Sequence, residues 1–313
     1  MIQYTLNRLL WLIPTILVMS AIVFLVAHNT PGSPFDPSIL GGSRTLSDEE
    51  LKNILSKYGL DQPLWVQYKN FLWNALHLDF GTSYIYKTRT VSDILAQTFP
   101  ISLQLGTLAM ILAIVIGTTL GTLAAINQNG IVDYVSAGIA VLGTSLPNFV
   151  IAVLLVLVFS ITLKWLPPIG WETSQPKTLI LPTLVLAAFP IATLTRYTRA
   201  SMVDVIRSDY VRTARAKGLS ERRVITGHVM KNALIPVITV IGPLFAAVGT
   251  GSFVVEQIFA INGMGKFFVT SMLQKDYPMI MAVILCYGVF LAAMNLVVDL
   301  LYGLLDPRIR LQS

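Results

Sequence analysis

Six apolar stretches, at 9–28, 101–126, 134–161, 178–195, 233–255 and 278–301, dominate this chain of 313 residues, and Asp299 is the one charge inside them. A helix needs about 20 apolar residues to cross the roughly 30 Å hydrocarbon layer of a bilayer. The fourth stretch is the shortest and contains Pro182 and Pro190. Membrane helices tolerate proline because neighbouring groups re-satisfy the freed carbonyl, so it too is read as a span. Only 12% of the residues are charged, against about 25% in a soluble domain. The expected fold class is therefore an all-α polytopic membrane protein with six transmembrane helices.

Basic residues set the direction of the spans. The net charge of +6 would suit nucleic acid, but Lys and Arg on cytoplasmic loops are the ordinary topology signal of membrane proteins, and no nucleic-acid partner is expected. With the N-terminus inside, the cytoplasm receives Arg8, the basic residues of 196–232, and Arg308 and Arg310. Both termini are then cytoplasmic. The first stretch is long for the apolar part of a signal peptide, and Val26-Ala27-His28 offers no small-x-small cleavage site, so it is expected to stay as a helix. The chain divides into a first span (1–28), an extracytoplasmic helical segment (29–95), a membrane domain (96–305) holding a cytoplasmic loop (196–232), and a cytoplasmic tail (306–313).

In the second stretch Ala109, Ala113, Gly117, Gly121 and Ala125 recur every four residues. Such a ridge of small side chains lets helix backbones approach closely where no hydrophobic effect drives association. The external segment is not a linker. Ser47 and Glu50 form a capping box, with Leu46 stapled to Leu51. Gly59 stops that helix, Pro63 opens a second through Trp65, Tyr68 and Phe71, and Thr90 with Asp93 marks a third. Aromatic helices beside a membrane lie in the interface; the same surface could dock an extracytoplasmic partner.

Residues 196–232 carry nine Lys/Arg and three Asp/Glu. A helix is expected at 204–217, with Val203, Ile206, Tyr210 and Ala214 on one stripe and Arg207, Arg212 and Arg215 off it. Gly218 ends it, Leu219 supplies the hydrophobic contact of a Schellman motif, and Ser220 caps a second helix from Glu221. The result is a capped bracket between spans four and five. A basic hairpin on anionic lipid would need neither the corner nor the interspersed acids.

These residues resemble a known family. Thr213-Ala214-Arg215-Ala216-Lys217-Gly218, followed by His228, Lys231-Asn232-Ala233 and Pro236, is similar to the cytoplasmic loop of type I ABC importer permeases, and most of all to the B-type permease subunit of the dipeptide/oligopeptide group. The general family pattern is Glu-Ala-Ala, three residues, then Gly; here Arg212-Thr213-Ala214 stand in the first three places. The resemblance extends through residues 8–14, Pro31-Gly32-Ser33-Pro34, Tyr58-Gly59-Leu60-Asp61-Gln62-Pro63-Leu64, Asp79-Phe80-Gly81, Gly263-Met264-Gly265, Asp276-Tyr277-Pro278 and Val298-Asp299-Leu300-Leu301-Tyr302. It implies a permease of the inner membrane without its own ATPase site or bound cofactor. ATP and Mg would sit on two cytoplasmic ATPase subunits, contacted through Arg212, Thr213, Ala214, Arg215, Ala216, Lys217, Gly218, Leu219 and Ser220, with His228, Asn232 and Pro236 in support. A homologous second permease and an extracytoplasmic substrate-binding protein would complete the importer, with membrane lipid around it. Di- or oligopeptides are the implied cargo; related permeases carry glutathione, nickel chelates, haem or oligosaccharides.

The chain offers little other chemistry. Asn262-Gly263-Met264-Gly265-Lys266 lacks the first Gly and final Ser/Thr of a P-loop, having Ala260 and Phe267 there, and reads as a tight turn before the sixth span. Cys286 is the single cysteine, and His28, His77 and His228 have no ligand spacing. No catalytic constellation appears. Glu256 and Asp299 sit at span ends, where structural partners are expected, an arginine of the loop in the case of Asp299. A stand-alone secondary transporter is the alternative class; it would place acids at the midplane.

Overall fold

The computed structural model describes residues 2–32, 34–35, 47–86 and 88–305, and side chains among them from Leu10 to Val298. Its axis is α4 (Val91–Ile126), a helix of 36 residues. At 1.5 Å per residue it is about 54 Å long, so its first turns reach beyond the hydrocarbon layer. Thr90 caps it by accepting the Asp93 N–H (3.1 Å). The third external helix expected there is thus the start of α4 itself, and the boundary drawn at 95/96 falls inside this helix.

The small-residue ridge packs α4 on α7 (Lys177–Ile206). Ala109, Ala113, Gly117, Gly121 and Ala125 are all buried. A Cβ on Gly117 would stand 2.8 Å from Leu194 Cβ, and one on Gly121 would stand 2.6 Å from the Thr195 carbonyl oxygen. No side chain larger than hydrogen fits at either place.

The helix running from Glu221 to Gly249 packs on this pair, α13 (Tyr277–Leu305) packs on that helix, and α1 (Ile2–Asn29) packs on α13. With α4 and α7 they make five helices long and apolar enough to cross a membrane. The remaining apolar stretch forms a bent pair of helices: α5 (Ile131–Ser145), then α6 (Asn148–Leu155) continued as a π-helix through Thr162, with 113° between the two limbs. The straight span expected at 134–161 is therefore corrected. Leu146 is extended (φ −87°, ψ 126°) because the ring of the following proline disfavours helical backbone before it.

At one end lie α2 (Asp48–Lys57) and α3 (Leu64–Leu76). Ser47 and Glu50 form both bonds of the capping box (3.2 and 3.0 Å); Leu46 is outside the described residues. Tyr68 of α3 donates to the Leu17 carbonyl of α1 (3.0 Å), which pins α3 to that span, with Trp65 and Trp73 exposed. Phe35, Tyr58, Tyr84 and Tyr277 join α2 to the start of α13 in one aromatic cluster.

Candidate functional site

At the other end of the bundle, α7 carries the first charges of the basic segment past the end of its apolar run. It breaks at Arg207–Ser208, and α8 (Asp209–Ala216) follows. The single helix expected at 204–217 is thus two, and Val203 and Ile206 belong to α7. Ser208 occupies the N-cap position, but its hydroxyl donates backward to the Val205 carbonyl (2.7 Å), satisfying the end of α7.

Two turns of α8 bury Val211 and Ala214 against Met202, Val224, Ile225, Val229, Ala233 and Ala125. This small core joins the ends of α4, α7 and the fifth span. Ala214, expected at the outer contact, is 5% exposed and faces inward. Tyr210, expected on the buried stripe, is 44% exposed; its hydroxyl accepts from Asn232 Nδ2 (2.8 Å), linking α8 to α10 (Met230–Gly249). His228 is half-buried, and Pro236 is exposed one turn beyond Asn232.

The corner is a Schellman motif. Gly218 has φ +78°, its N–H donates to the Arg215 carbonyl (2.9 Å), and the Leu219 N–H donates to that of Ala214 (3.4 Å). A Cβ on Gly218 would meet nothing within 4 Å, so the backbone angle alone selects glycine. Ser220 holds the next N-cap position without a side-chain cap bond. The one-turn helix α9 (Glu221–Arg223) then runs through a π-helical stretch, Val224–Val229, into α10 without interruption. The second short helix is therefore the foot of the fifth span. Arg215 closes the corner with a bidentate ion pair to Glu221 (3.1 and 2.7 Å), an interaction that no helix periodicity reveals.

Two other arginines of the segment have internal roles. Arg199 pairs with buried Asp133 at the start of α5 (2.5 and 2.7 Å). Arg207 donates to Gln128 (3.2 Å). They tie the α4–α5 turn to α7. The Asp299 side chain lies outside those described. On the outer surface of the bracket, Arg212, Thr213, Arg215, Ala216, Lys217, Gly218 and Ser220 are exposed, with Arg222 and Arg223 beside them. This is a basic, exposed surface on a stem packed against the ends of two spans.

The opposite end is held by two buried carboxylates. Glu256, in α11 (Phe253–Ile258), is fully buried and accepts from Ser102 Oγ (2.8 Å), from the Lys266 N–H (2.9 Å) and from the Gly265 N–H. Ser102 in turn accepts the Met264 N–H (2.7 Å). Burial raises the Glu256 carboxyl above the usual range, against the pull of these donors. Gly263-Met264-Gly265 opens α12 (Met264–Gln274) over this carboxylate, and a Cβ on Gly263 would stand 2.5 Å from Glu256 Oε1. The glycines serve close approach, not a simple turn. At the far end of α12, buried Asp276 accepts from Ser83 Oγ and from the Tyr84 N–H (3.2 Å). Burial raises its carboxyl too. The Lys275 ammonium reaches the Pro31 carbonyl.

Among the described residues, five long apolar helices, one bent pair and a charged bracket set between two of the long helices make an all-α multi-pass membrane fold of the kind expected for a type I ABC importer permease. Residues 117–311 match the family described as binding-protein-dependent transport system inner membrane component, and residues 1–106 match its N-terminal companion family. The chain is 45% identical over 313 residues to the dipeptide transport system permease protein DppB of Bacillus subtilis, covering 100% of this chain and 99% of the relative. It is 43% identical to the oligopeptide transport system permease protein OppB of Salmonella typhimurium, over 99% of this chain and 100% of the relative, and 40% identical to DppB of Lactococcus lactis over the same shares. The chain belongs to the family of binding-protein-dependent transport system inner membrane components.

Proposed function

We propose that this chain is the permease subunit of an ATP-driven importer of di- or oligopeptides, and that the bracket is where ATPase subunits act on it. The names of its relatives support the peptide cargo. The observation that carries the coupling role is mechanical: α8 sits on a core shared by the ends of α4, α7 and the fifth span, so a partner seated on the exposed corner moves those helices with it. In this reading both termini and the bracket are cytoplasmic, and α2 and α3 face the binding protein. The ATPase subunits hold ATP and Mg, and a homologous second permease supplies the other half of the path. The expected result is that the chain, co-expressed with these subunits and reconstituted with a loaded binding protein, takes up alanine peptides only with ATP. Solute movement by the isolated chain down an ion gradient would overturn the reading.

A further inference from the structure

The elbow between α5 and α6 lies where a membrane protein can least tolerate one. Helix α5 starts at the bracket end, where Asp133 pairs with Arg199, and breaks 15 residues on beside Leu186, Phe189 and Pro190, midway along the apolar run 178–195 of α7, so the break falls inside the hydrocarbon layer. Proline has no N–H with which to continue the bonding of α5. At the start of α6 the Pro147 carbonyl receives Val150 and Ile151 (2.9 and 3.3 Å), and Asn148 and Phe149, as the first two residues of a helix, have no intrahelical acceptor. Each unsatisfied backbone group costs several kcal/mol in lipid. The elbow must therefore face protein or water.

Within this chain it faces a cleft of about 380 Å³. Thr144 and Asn148 line it from the elbow, Leu186 and Phe189 from α7, and Gly251 and Ser252 from the turn after α10. Among the described residues, no ionisable side chain lines it. Two of its walls, α7 and α10, are the spans that run into the bracket, so displacement of the bracket changes the width of the cleft.

We propose that this elbow is a hydrated station on the translocation path, suited to the uncharged amide backbone of a passing peptide. Its free N–H groups and the Asn148 amide, with the Thr144 and Ser252 hydroxyl oxygens, offer donors and acceptors to a passing backbone. The absence of fixed charge makes the station indifferent to the charge of the cargo's side chains. Broken spans whose freed backbone lines a cavity serve this purpose in transporters generally. The inference rests on the permease reading above.

The sole cysteine makes a direct test practical. In a Cys286→Ser background, Asn148→Cys, Ser252→Cys and, as an outward-facing control on α4, Val115→Cys are assembled into the full importer in proteoliposomes. A water-soluble cationic methanethiosulfonate is then applied with and without vanadate-trapped nucleotide. Positions 148 and 252 are expected to react several-fold faster than 115, and to change rate when nucleotide is trapped. Reaction at 148 and 252 no faster than at 115 would overturn the station, since protein would then seal the elbow. Uptake of trialanine by the same importer is scored separately: its failure with labelling intact would sink the peptide cargo and leave the hydrated elbow standing.

Discussion

The two ends of the bundle are held together by opposite means. At the bracket end an apolar core of small and β-branched residues lies inside; the bidentate pair of Arg215 with Glu221 is solvent-exposed, and the buried carboxylate nearby, Asp133, is answered by a cation, Arg199. At the other end the charges lie inside: Glu256 and Asp276 are both fully buried and receive backbone N–H groups from α12 and from the Ser83–Tyr84 loop. A buried carboxylate that satisfies several donors fixes one geometry, because removing it strands every donor at once. An exposed pair fixes little but leaves a readable surface. The difference separates an end built to stay assembled from an end that leaves its charges open to a partner.

That contrast can be broken by substitution, and the largest effect is expected at Glu256. Glu256→Ala strands the Ser102 hydroxyl and the N–H groups of Gly265 and Lys266, at about 1–3 kcal/mol for each unsatisfied buried group. The thermal midpoint of the purified protein in detergent should fall well below that of Glu256→Gln, which keeps one acceptor oxygen. Equal midpoints for the two variants would remove the network from the account. Next comes Gly218→Val, which forces a β-branched residue into the left-handed region at about 1–2 kcal/mol. Because the corner is local, the midpoint should change little while peptide-stimulated ATP hydrolysis in the complex drops.

A titration sharpens the same comparison. Burial raises both carboxyls of the far end above the unfolded value of about 4. The unfolded chain then ionises first as pH rises, so the stability contributed by these groups is complete below about pH 4 and declines through the raised folded pKa. Asp276→Asn should flatten the fall in melting temperature between acidic and neutral pH; a slope identical to that of the unmodified protein would count against the buried carboxyl. The smallest effect belongs to Arg215→Ala. An exposed ion pair contributes about 0.5 kcal/mol, so stability should hold within error, and added salt should erase what difference there is.

Much of this organisation was legible in the sequence because its causes are local or periodic. The bilayer demands long uncharged runs, and they are visible. The Gly218 corner needs only Gly, Leu and their helical neighbours, and the capping box of α2 needs only Ser47 and Glu50. The Pro147 break was open to the same kind of reading, but counting charges along 134–161 passes over a proline. The carboxylate staples were not legible. Ser102 meets Glu256 across 154 residues and Ser83 meets Asp276 across 193, and no spacing rule joins such pairs. Nor does periodicity show that Arg199 would turn inward to Asp133 while Arg212 stays out. The glycines at 263 and 265 were noticed for the wrong reason: they crowd a carboxylate that only the fold brings beneath them.

The central claim is that the bracket corner transmits force from partner to spans. The most direct test compares the unmodified protein with Gly218→Val in the reconstituted importer, measuring assembly with the ATPase subunits, peptide-stimulated ATP hydrolysis and uptake in the same vesicles. The account predicts normal assembly with hydrolysis stimulation and uptake lost together. Uptake and stimulation at the level of the unmodified protein, with the variant fully assembled, would contradict it.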